Sequence, residues 1–153
     1  MDFQTLTYEL ADDIAVITLN RPDKMNALTT QMRAELTYAI TDGGKSARVL
    51  VLTGAGRAFC SGQDLGDGAD AANMDLERTL RDEYGPMIRA IAECPVPVIS
   101  AVNGAAAGAG SATSPIPKPG DRVTQMAVVE EEIGPVFFLA DRKLRSQLEN
   151  LDA

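Results

Sequence analysis

Two loops built from small residues are the part of this sequence best suited to chemistry. The first has the sequence GAGRAFCSGQDL at residues 54–65, and the second has NGAAAGAG at residues 103–110. Glycine, alanine and serine add little bulk to the main chain, so such loops let backbone N–H groups approach a ligand closely. Two donors directed at one point can hold an oxyanion, the negative oxygen that develops on a carbonyl during acyl chemistry. We therefore expect an oxyanion site built from main-chain atoms.

The residue types present exclude several other catalytic mechanisms. The sequence contains no histidine, which removes Ser-His-Asp and Cys-His nucleophile pairs and histidine-ligated metals. Proton transfer would then fall to Asp, Glu, Tyr, Lys, Cys or water. Cys60 and Cys94 lack the spacing of a disulfide framework and are predicted to be free thiols. The acidic run at residues 130–132 is interpreted as a solvated charge run, so no metal site is predicted.

Three glycine motifs resemble phosphate-binding sequences without completing them. The GGKS stretch at residues 43–46 follows a predicted helix, not a strand, and lacks the earlier glycine of a P-loop. In the two G-x-G patterns, the third glycine position holds Phe59 in one loop and Thr113 in the other. A dinucleotide-binding fingerprint is therefore not expected.

Length and charge limit the classes of partner. The chain has 153 residues, a net charge of -8 and an isoelectric point near 4.5, which fits one domain and argues against nucleic acid and anionic membrane surfaces. No apolar run approaches the roughly 20 residues of a membrane span. The N-terminal residues lack the basic and apolar regions of a signal peptide, so a cytoplasmic location is expected.

The apolar pattern predicts an α/β fold. Core strands are expected at residues 13–19, 48–53 and 96–102, the first of them buried on both faces. Thr29 or Thr30 can cap a helix with apolar Met32, Leu36, Ala39 and Ile40, which Gly43 and Gly44 should end. A helix between such strands is typical of a right-handed βαβ unit. A second helix capped by Asn73 is expected, with Leu76, Leu80 and Tyr84 on one face. Pro86 either interrupts it or starts a second segment that carries Met87, Ile88 and Ile91.

The pattern changes after Gly110. Prolines at positions 115, 117 and 119 cannot continue an α-helix, so at most one helical turn fits after the second loop. A strand at residues 123–129 and an amphipathic helix at residues 139–151 are predicted beyond the prolines. Residues 111–153 are therefore interpreted as an atypical proline-rich linker and tail.

Four short segments together resemble the crotonase family of enoyl-CoA hydratases and isomerases. They are NRP at residues 20–22, NAL at residues 26–28, the first loop at residues 58–65, and AVNGAAAGAG at residues 101–110. The resemblance covers about residues 3 to 110 and is closest to the phenylacetate-degradation branch, which isomerises ring-1,2-epoxyphenylacetyl-CoA to an oxepin. It implies a crotonase-like ββα spiral core, with residues 1–110 as the N-terminal part of that domain and truncation after the second oxyanion-hole loop.

The same resemblance implies a set of site residues. The two oxyanion donors would be the backbone N–H groups of Ser61 and Ala109, directed at the thioester carbonyl. The substrate would be bound by Lys24, Asn26, Ala27, Leu28, Ala58, Ser61, Gly62, Gln63, Asp64, Leu65 and Gly108. Arg21, Lys24 and Arg57 are either partners for the CoA phosphates or solvated surface charges. CoA enters as part of the substrate, and no separate cofactor is implied.

Three functions remain open at this stage. The resemblance favours an acyl-CoA thioester-binding isomerase that acts on a ring-epoxide phenylacetyl-CoA, and a homo-oligomer as in the family. An enoyl-CoA hydratase is the alternative, although Ala112 occupies the position where hydratases of the family carry a glutamate. The phenylacetate branch has another acidic residue in a characteristic sequence context, and neither Asp121 nor Asp141 lies in that context. The third function is therefore that of a non-catalytic fragment that associates with full-length subunits.

Overall fold

The computed structural model describes residues 2–66, 75–113, 124–128 and 136–138. Its strands are β1 (Leu6–Ala11), β2 (Ile14–Leu19), β3 (Val49–Gly54), β4 (Ala58–Cys60), β5 (Val98–Val102), β6 (Ala105–Ala106), β7 (Thr124–Val128) and β8 (Val136–Phe138). Its helices are α1 (Thr30–Ser46), α2 (Leu76–Thr79), α3 (Gly85–Ala92) and α4 (Ala109–Ala112), with a 3-10 turn at Pro22–Lys24 and a π turn at Leu80–Tyr84. The predicted α/β class is confirmed.

Two sheets organise the described part of the chain. The larger sheet has the order β1-β2-β3-β5-β7-β8, and the smaller pairs β4 with β6. Strands β2, β3, β5 and β7 run parallel to one another, while β1 and β8 are antiparallel at the two edges. Because parallel strands end at the same edge of a sheet, the segments that follow β3 and β5 leave the sheet side by side.

The central strands alternate between a fully buried and a partly covered face. Ala15, Ile17 and Leu19 of β2 have no exposed surface, and neither do Leu50 and Leu52 of β3, whereas the residues between them are half-buried. The expectation that β2 is buried on both faces is therefore wrong for the described chain. Helix α1 packs against β1, β2 and β3, and it covers the face to which the buried residues point.

Helix α1 begins as predicted but runs past its two glycines. Thr29 caps it, since its hydroxyl accepts the Met32 N–H at 3.1 Å. The helix then continues to Ser46, so the prediction that Gly43 and Gly44 end it is wrong. Both glycines serve close packing instead, because a Cβ on Gly43 would lie 2.6 Å from a Leu50 methyl, and one on Gly44 would lie 3.0 Å from Cys94 Sγ.

A carboxylate on α1 fixes the segment before β1. Glu35 is 8 % exposed and accepts the backbone N–H groups of Gln4 and Thr5, both at 2.9 Å, and the Thr5 hydroxyl at 2.6 Å. Gln31 donates to the same carboxylate at 2.7 Å. Burial alone would raise the pKa of Glu35, but these four donors together hold that pKa below its usual value.

The second helical segment is continuous through Pro86. Helix α2, the π turn and α3 follow one another without a break, so Pro86 does not interrupt the helical segment but lies in the first turn of α3, the second segment that the sequence predicts there. Asp75 caps α2 by accepting the Arg78 N–H at 2.9 Å, and the cap predicted at Asn73 lies outside the described residues. Tyr84 is 5 % exposed, whereas Leu76 and Leu80 face solvent, so the predicted apolar face is only partly buried.

The chain after Gly110 adds strands to the larger sheet. Helix α4 is a single turn, as the prolines require, and β7 lies within the strand predicted at residues 123–129. The β8 strand was not predicted, and the helix expected at residues 139–151 lies outside the described residues. None of the helices in the described ranges is long and apolar enough to cross a membrane.

Candidate functional site

The two small-residue loops meet through the β4–β6 sheet. Ala58 pairs with Ala105 and Cys60 with Ala106, in parallel. The Ala107 N–H then donates to Cys60 O at 3.0 Å. The two loops identified in the sequence therefore lie against each other, with their small residues at the point of contact.

Gly62 lies at one of the close approaches between the loops. Its φ is +101°, and a Cβ at this position would lie 2.9 Å from Ala107 O and 3.3 Å from Ala109 N. A side chain would thus both strain the backbone and displace the second loop. The glycine is required here because the backbone of one loop rests on the backbone of the other.

Gly110 is packed against Cys60 in the same way. A Cβ on Gly110 would overlap Cys60 O and would lie 2.8 Å from Cys60 Sγ. Cys60 has no exposed surface, and burial raises the pKa of its thiol, an effect that a hydrogen bond from Gly62 partly opposes. The thiol is therefore protonated at neutral pH and fills space beneath the loops.

The structure contradicts the donor role predicted for Ser61. The Ser61 N–H donates to Met25 O at 3.0 Å, an ordinary backbone hydrogen bond. A donor already paired inside the protein would have to break that bond to bind a ligand. The Ser61 N–H therefore fixes the first loop to the segment after the 3-10 turn.

The backbone N–H of Gln63, unlike that of Ser61, points away from the segment that follows the 3-10 turn. Leu28 forms an isolated parallel bridge with Gln63: the Leu28 N–H donates to Gly62 O at 2.7 Å, and the Asp64 N–H donates to Leu28 O at 3.1 Å. In such a bridge the N–H of the central residue points away from its partner strand. Because Gly62 has a positive φ, the Gln63 N–H points in a different direction from the Ser61 N–H. The glycine at position 62 is the signal in the sequence that could have indicated this difference.

Ala109 lies where the second loop turns into α4. It is the first residue of that helix, so its N–H has no acceptor within the helix. Ala109 N also lies beside Gly62, which brings it next to the Gly62–Gln63 peptide. The position predicted for the second donor thus adjoins the first loop.

Asn26 shapes the site from inside the protein. It has no exposed surface, and its Nδ2 donates to Ala55 O at 2.9 Å and to Ala58 O at 2.7 Å. Its Oδ1 accepts the Arg21 N–H at 2.8 Å, and its φ is +53°. The Asn26 side chain, predicted to contact the substrate, instead joins the NRP turn to the turn before β4.

The three cations near the loops differ in their availability. Arg21 is paired with Asp64 at 2.8 Å and donates to Ala27 O at 2.6 Å. A hydrogen bond from the Gly66 N–H and the Arg21 guanidinium hold the pKa of Asp64 below its usual value. Lys24 and Arg57 are exposed, and Arg57 Nη2 donates to Met25 Sδ at 3.9 Å. Of the three candidate phosphate partners, Arg21 is the one that an ion pair with Asp64 holds.

The remaining predicted site residues divide by exposure. Ala27, Leu28, Ala58 and Gly62 are buried; Ser61, Gln63 and Asp64 are half-buried; Leu65 and Gly108 are exposed. A ligand in the site would therefore contact chiefly the half-buried and the exposed residues. No set of three or more His, Cys, Asp or Glu side chains that could hold a metal ion occurs in the part of the chain that the structure describes.

Sequence reasoning did not identify two side chains behind the first loop. The Tyr84 hydroxyl donates to Gln63 Oε1 at 2.6 Å. The Arg33 guanidinium lies 4.7 Å from the centre of the Tyr84 ring and is itself buried. Tyr84 was assigned to a helix face only, because nothing in the local pattern relates it to a loop 21 residues earlier.

Comparison with known proteins identifies the class of fold to which the paired loops and the parallel sheet belong. The model of the enoyl-CoA hydratase/isomerase family matches residues 9–114. The chain belongs to this family, as its motifs indicated.

Two curated relatives and one solved structure illustrate the similarity. A probable enoyl-CoA hydratase of Rhodobacter capsulatus is 59 % identical over 72 % of this chain and 43 % of its own length. The 1,2-epoxyphenylacetyl-CoA isomerase of Escherichia coli K12 is 43 % identical over 64 % of this chain and 39 % of its own length. A putative enoyl-CoA hydratase from Streptomyces coelicolor A3(2) matches with a TM-score of 0.66 and 37 % identity, covering 82 % of this chain and 48 % of that one.

The matched region is a fraction of those proteins. The chain spans about two fifths of the length of the curated relatives it matches. The family and the fold of the matched part follow from this similarity, and the reaction of a whole family member does not.

Proposed function

We propose that this chain binds an acyl-CoA thioester and holds its carbonyl oxygen between the backbone N–H groups of Gln63 and Ala109. The observation that carries the proposal is the closeness of Gly62 to Ala109: a Cβ on Gly62 would lie 3.3 Å from Ala109 N, so the Gly62–Gln63 peptide lies near the start of α4. The direction of the Gln63 N–H, away from Leu28, supports its choice over Ser61.

The chemistry of such a pair is general to thioesters. Attack at the carbonyl, or loss of a proton beside it, places negative charge on the oxygen. A preorganised donor contributes about 2.7–4 kcal/mol to the transition state for such charge. Because α4 is only one turn long, this stabilisation comes from the two local N–H groups and little from a helix dipole.

The proposed reaction is isomerisation of a ring-epoxide phenylacetyl-CoA. Similarity to the isomerase of Escherichia coli supports it, and so does Ala112, since a hydratase of the family carries a glutamate at that position. A 2-enoyl-CoA hydratase is the second candidate, which the 59 % identity to the Rhodobacter capsulatus relative favours. Lys24 and Arg57, both exposed beside the loops, are the proposed partners of the CoA phosphates.

Ligand-dependent thermal stability tests the binding proposal. A ligand that binds only the native state raises the melting temperature by mass action. We expect phenylacetyl-CoA to raise it more than free CoA, because only the thioester has a carbonyl for the two donors. No shift with either compound would overturn the proposed function, and a shift without turnover of an epoxide or enoyl thioester would favour a non-catalytic binding fragment.

A pair of variants at Ala109 tests the donor itself. Ala109→Pro removes the N–H at the first position of a helix, where proline is well tolerated, whereas Ala109→Gly retains the N–H. We expect the proline variant to lose the additional stabilisation by phenylacetyl-CoA and the glycine variant to keep it. If both variants fold and phenylacetyl-CoA stabilises them equally, the donor role of Ala109 is excluded.

A further inference from the structure

A chain of buried and partly buried hydrogen bonds links α1 and the π turn to the first loop. Arg33, whose side chain is 3 % exposed, donates to Glu83 Oε2 from Nε at 2.9 Å and from Nη2 at 2.5 Å. Its Nη1 donates to Tyr84 Oη at 3.3 Å. The Tyr84 hydroxyl then donates to Gln63 Oε1 at 2.6 Å. The loop residue proposed as an oxyanion donor is thus the end of a chain that begins at a partly buried ion pair.

The same guanidinium holds both members of the Leu28–Gln63 bridge. Arg33 Nη1 donates to Leu28 O at 2.9 Å, and the Asp64 N–H donates to that same oxygen. Leu28 is therefore fixed by Arg33 directly, and Gln63 is fixed by Arg33 through Tyr84. One buried cation therefore contacts one side of the bridge directly and the other side through Tyr84.

The direction of each hydrogen bond follows from its chemistry. A guanidinium can only donate, so the Tyr84 oxygen accepts from Arg33 and its own hydrogen is directed at Gln63. Burial raises the pKa of Tyr84, although the Arg33 charge opposes this effect. The hydroxyl therefore keeps its proton at neutral pH and remains a donor to Gln63.

The π turn brings two consecutive residues to Arg33. Glu83 and Tyr84 end the turn at Leu80–Tyr84 and both contact the guanidinium. A π turn is wider than an α turn and is an uncommon local structure. Here it allows the ion-pair partner and the hydroxyl donor to come from adjacent positions.

We propose that Tyr84, held by Arg33, is a positioning residue that fixes the Gly62–Gln63 peptide for binding of a thioester carbonyl. The inference rests on the proposed function, because it assigns a purpose to the orientation of the Gln63 N–H. Gly62 has a conformational freedom that other residues lack, so the peptide that follows it needs a restraint. The Leu28 N–H restrains this peptide at the Gly62 carbonyl, and Tyr84 adds a second restraint through the Gln63 side chain, so that the donor is oriented before the ligand arrives.

The test compares Tyr84→Phe with Tyr38→Phe, each titrated with free CoA and with phenylacetyl-CoA. Tyr84→Phe removes one hydroxyl and keeps the ring under Arg33, which still donates to Leu28 O. Tyr38 is 44 % exposed on α1 and provides the same chemical change away from the loops. We expect Tyr84→Phe to weaken thioester binding about three- to tenfold, the effect of one ordinary hydrogen bond, and to leave free CoA affinity unchanged. Tyr38→Phe should change neither affinity.

A second readout separates positioning from a loss of stability. Hydrogen bonding to a thioester carbonyl lowers its infrared stretching frequency, so the shift on binding to Tyr84→Phe should be smaller than on binding to the wild type. Gln63→Met removes the same hydrogen bond by changing the half-buried Gln63 side chain. This variant should also bind the thioester more weakly and free CoA with unchanged affinity. In the Gln63→Met background, Tyr84→Phe should have no additional effect.

The outcomes distinguish the two proposals. If the wild-type protein binds neither compound, the proposed function fails and the positioning role fails with it. If Tyr84→Phe weakens CoA and phenylacetyl-CoA equally, or weakens neither, the positioning role alone is overturned. If Tyr84→Phe does not fold, unchanged thioester selectivity in Gln63→Met overturns it instead.

Discussion

Leu28 and Gln63 form a single parallel bridge outside the two sheets, with hydrogen bonds of 2.7 and 3.1 Å on either side of Leu28. This bridge joins the segment that follows the NRP turn to the end of the first small-residue loop. It determines which backbone groups of that loop are paired within the protein and which face the second loop. The proposed oxyanion site depends on this bridge as much as on the glycines.

A side chain at Gly62 should disrupt the site. In Gly62→Ala, the new Cβ would meet Ala107 O at 2.9 Å at a φ of +101°. We expect a loss of about 1–3 kcal/mol in the free energy of unfolding and loss of phenylacetyl-CoA binding, measured by denaturant titration and thermal shift.

Gly66→Ala is the matched control for this change. Gly66 is exposed in the same loop, and a Cβ there would have one ordinary contact, with Asp64 Oδ1 at 3.4 Å. Its stability and affinity should equal those of the wild type. A Gly62→Ala protein that behaves like Gly66→Ala would show that the loops do not touch as described.

Replacing Asn26 by aspartate should destabilise the whole fold. The Asn26 amide donates to the Ala55 and Ala58 carbonyls within a fully buried environment. In Asn26→Asp, a carboxylate, which can only accept, would face both carbonyl oxygens. We expect a loss of about 3 kcal/mol, measured by chemical denaturation at neutral pH. Because protonation restores one donor, the deficit should shrink as the pH falls, and a pH-independent deficit would contradict this explanation.

The stability of the fold should decrease in acid partly through Glu35. Its pKa is lower in the folded protein than in the unfolded chain, so the unfolded state binds more protons between the two values. The stabilisation by Glu35 is then complete above the unfolded pKa and is lost as the pH falls through the folded one, below about pH 5. Glu35→Gln should show a smaller decrease in unfolding free energy over this window, and an unchanged pH profile would exclude Glu35 as a source.

Removing the charge of Glu83 should leave Arg33 poorly compensated. The Arg33 side chain is 3 % exposed and that of Glu83 is 29 % exposed, so the pair lies between a buried and a surface ion pair. We expect Glu83→Gln to lower the unfolding free energy by about 1–2 kcal/mol. Glu77→Gln is the control, since Glu77 is 88 % exposed in its pair with Arg81, and it should have no measurable effect. Equal losses in the two variants would argue against a special role for Arg33.

The elements of the fold that depend on local chemistry were predictable from the sequence. Thr29, as a capping residue, indicates the start of α1, and the prolines after Gly110 limit α4 to one turn. The end of α1 was not predictable, because Gly43 and Gly44 are explained by packing against Leu50 and Cys94, which lie outside the helix. A glycine pair has the same local preference whether it ends a helix or lets a neighbour approach.

The site was predictable at the level of loops but not of atoms. The small residues correctly indicated that the two loops meet, whereas the donor assigned to Ser61 is paired with Met25 O. The direction of a single N–H depends on the φ of Gly62, which composition does not determine. The Tyr84–Gln63 hydrogen bond depends on a π turn and a long-range contact, and neither has a local sequence pattern.

The parallel pairing of β4 with β6 also bears on how the protein folds. Ala58 and Ala105 are partners in that pairing, and the chain between them includes α2, α3 and β5. Bringing the ends of so long a segment together costs conformational entropy. This cost is offset only when the elements between β4 and β6 have also folded. A partly folded chain would therefore lack the proposed ligand site, and acyl-CoA binding would report completion of folding rather than guide its early steps.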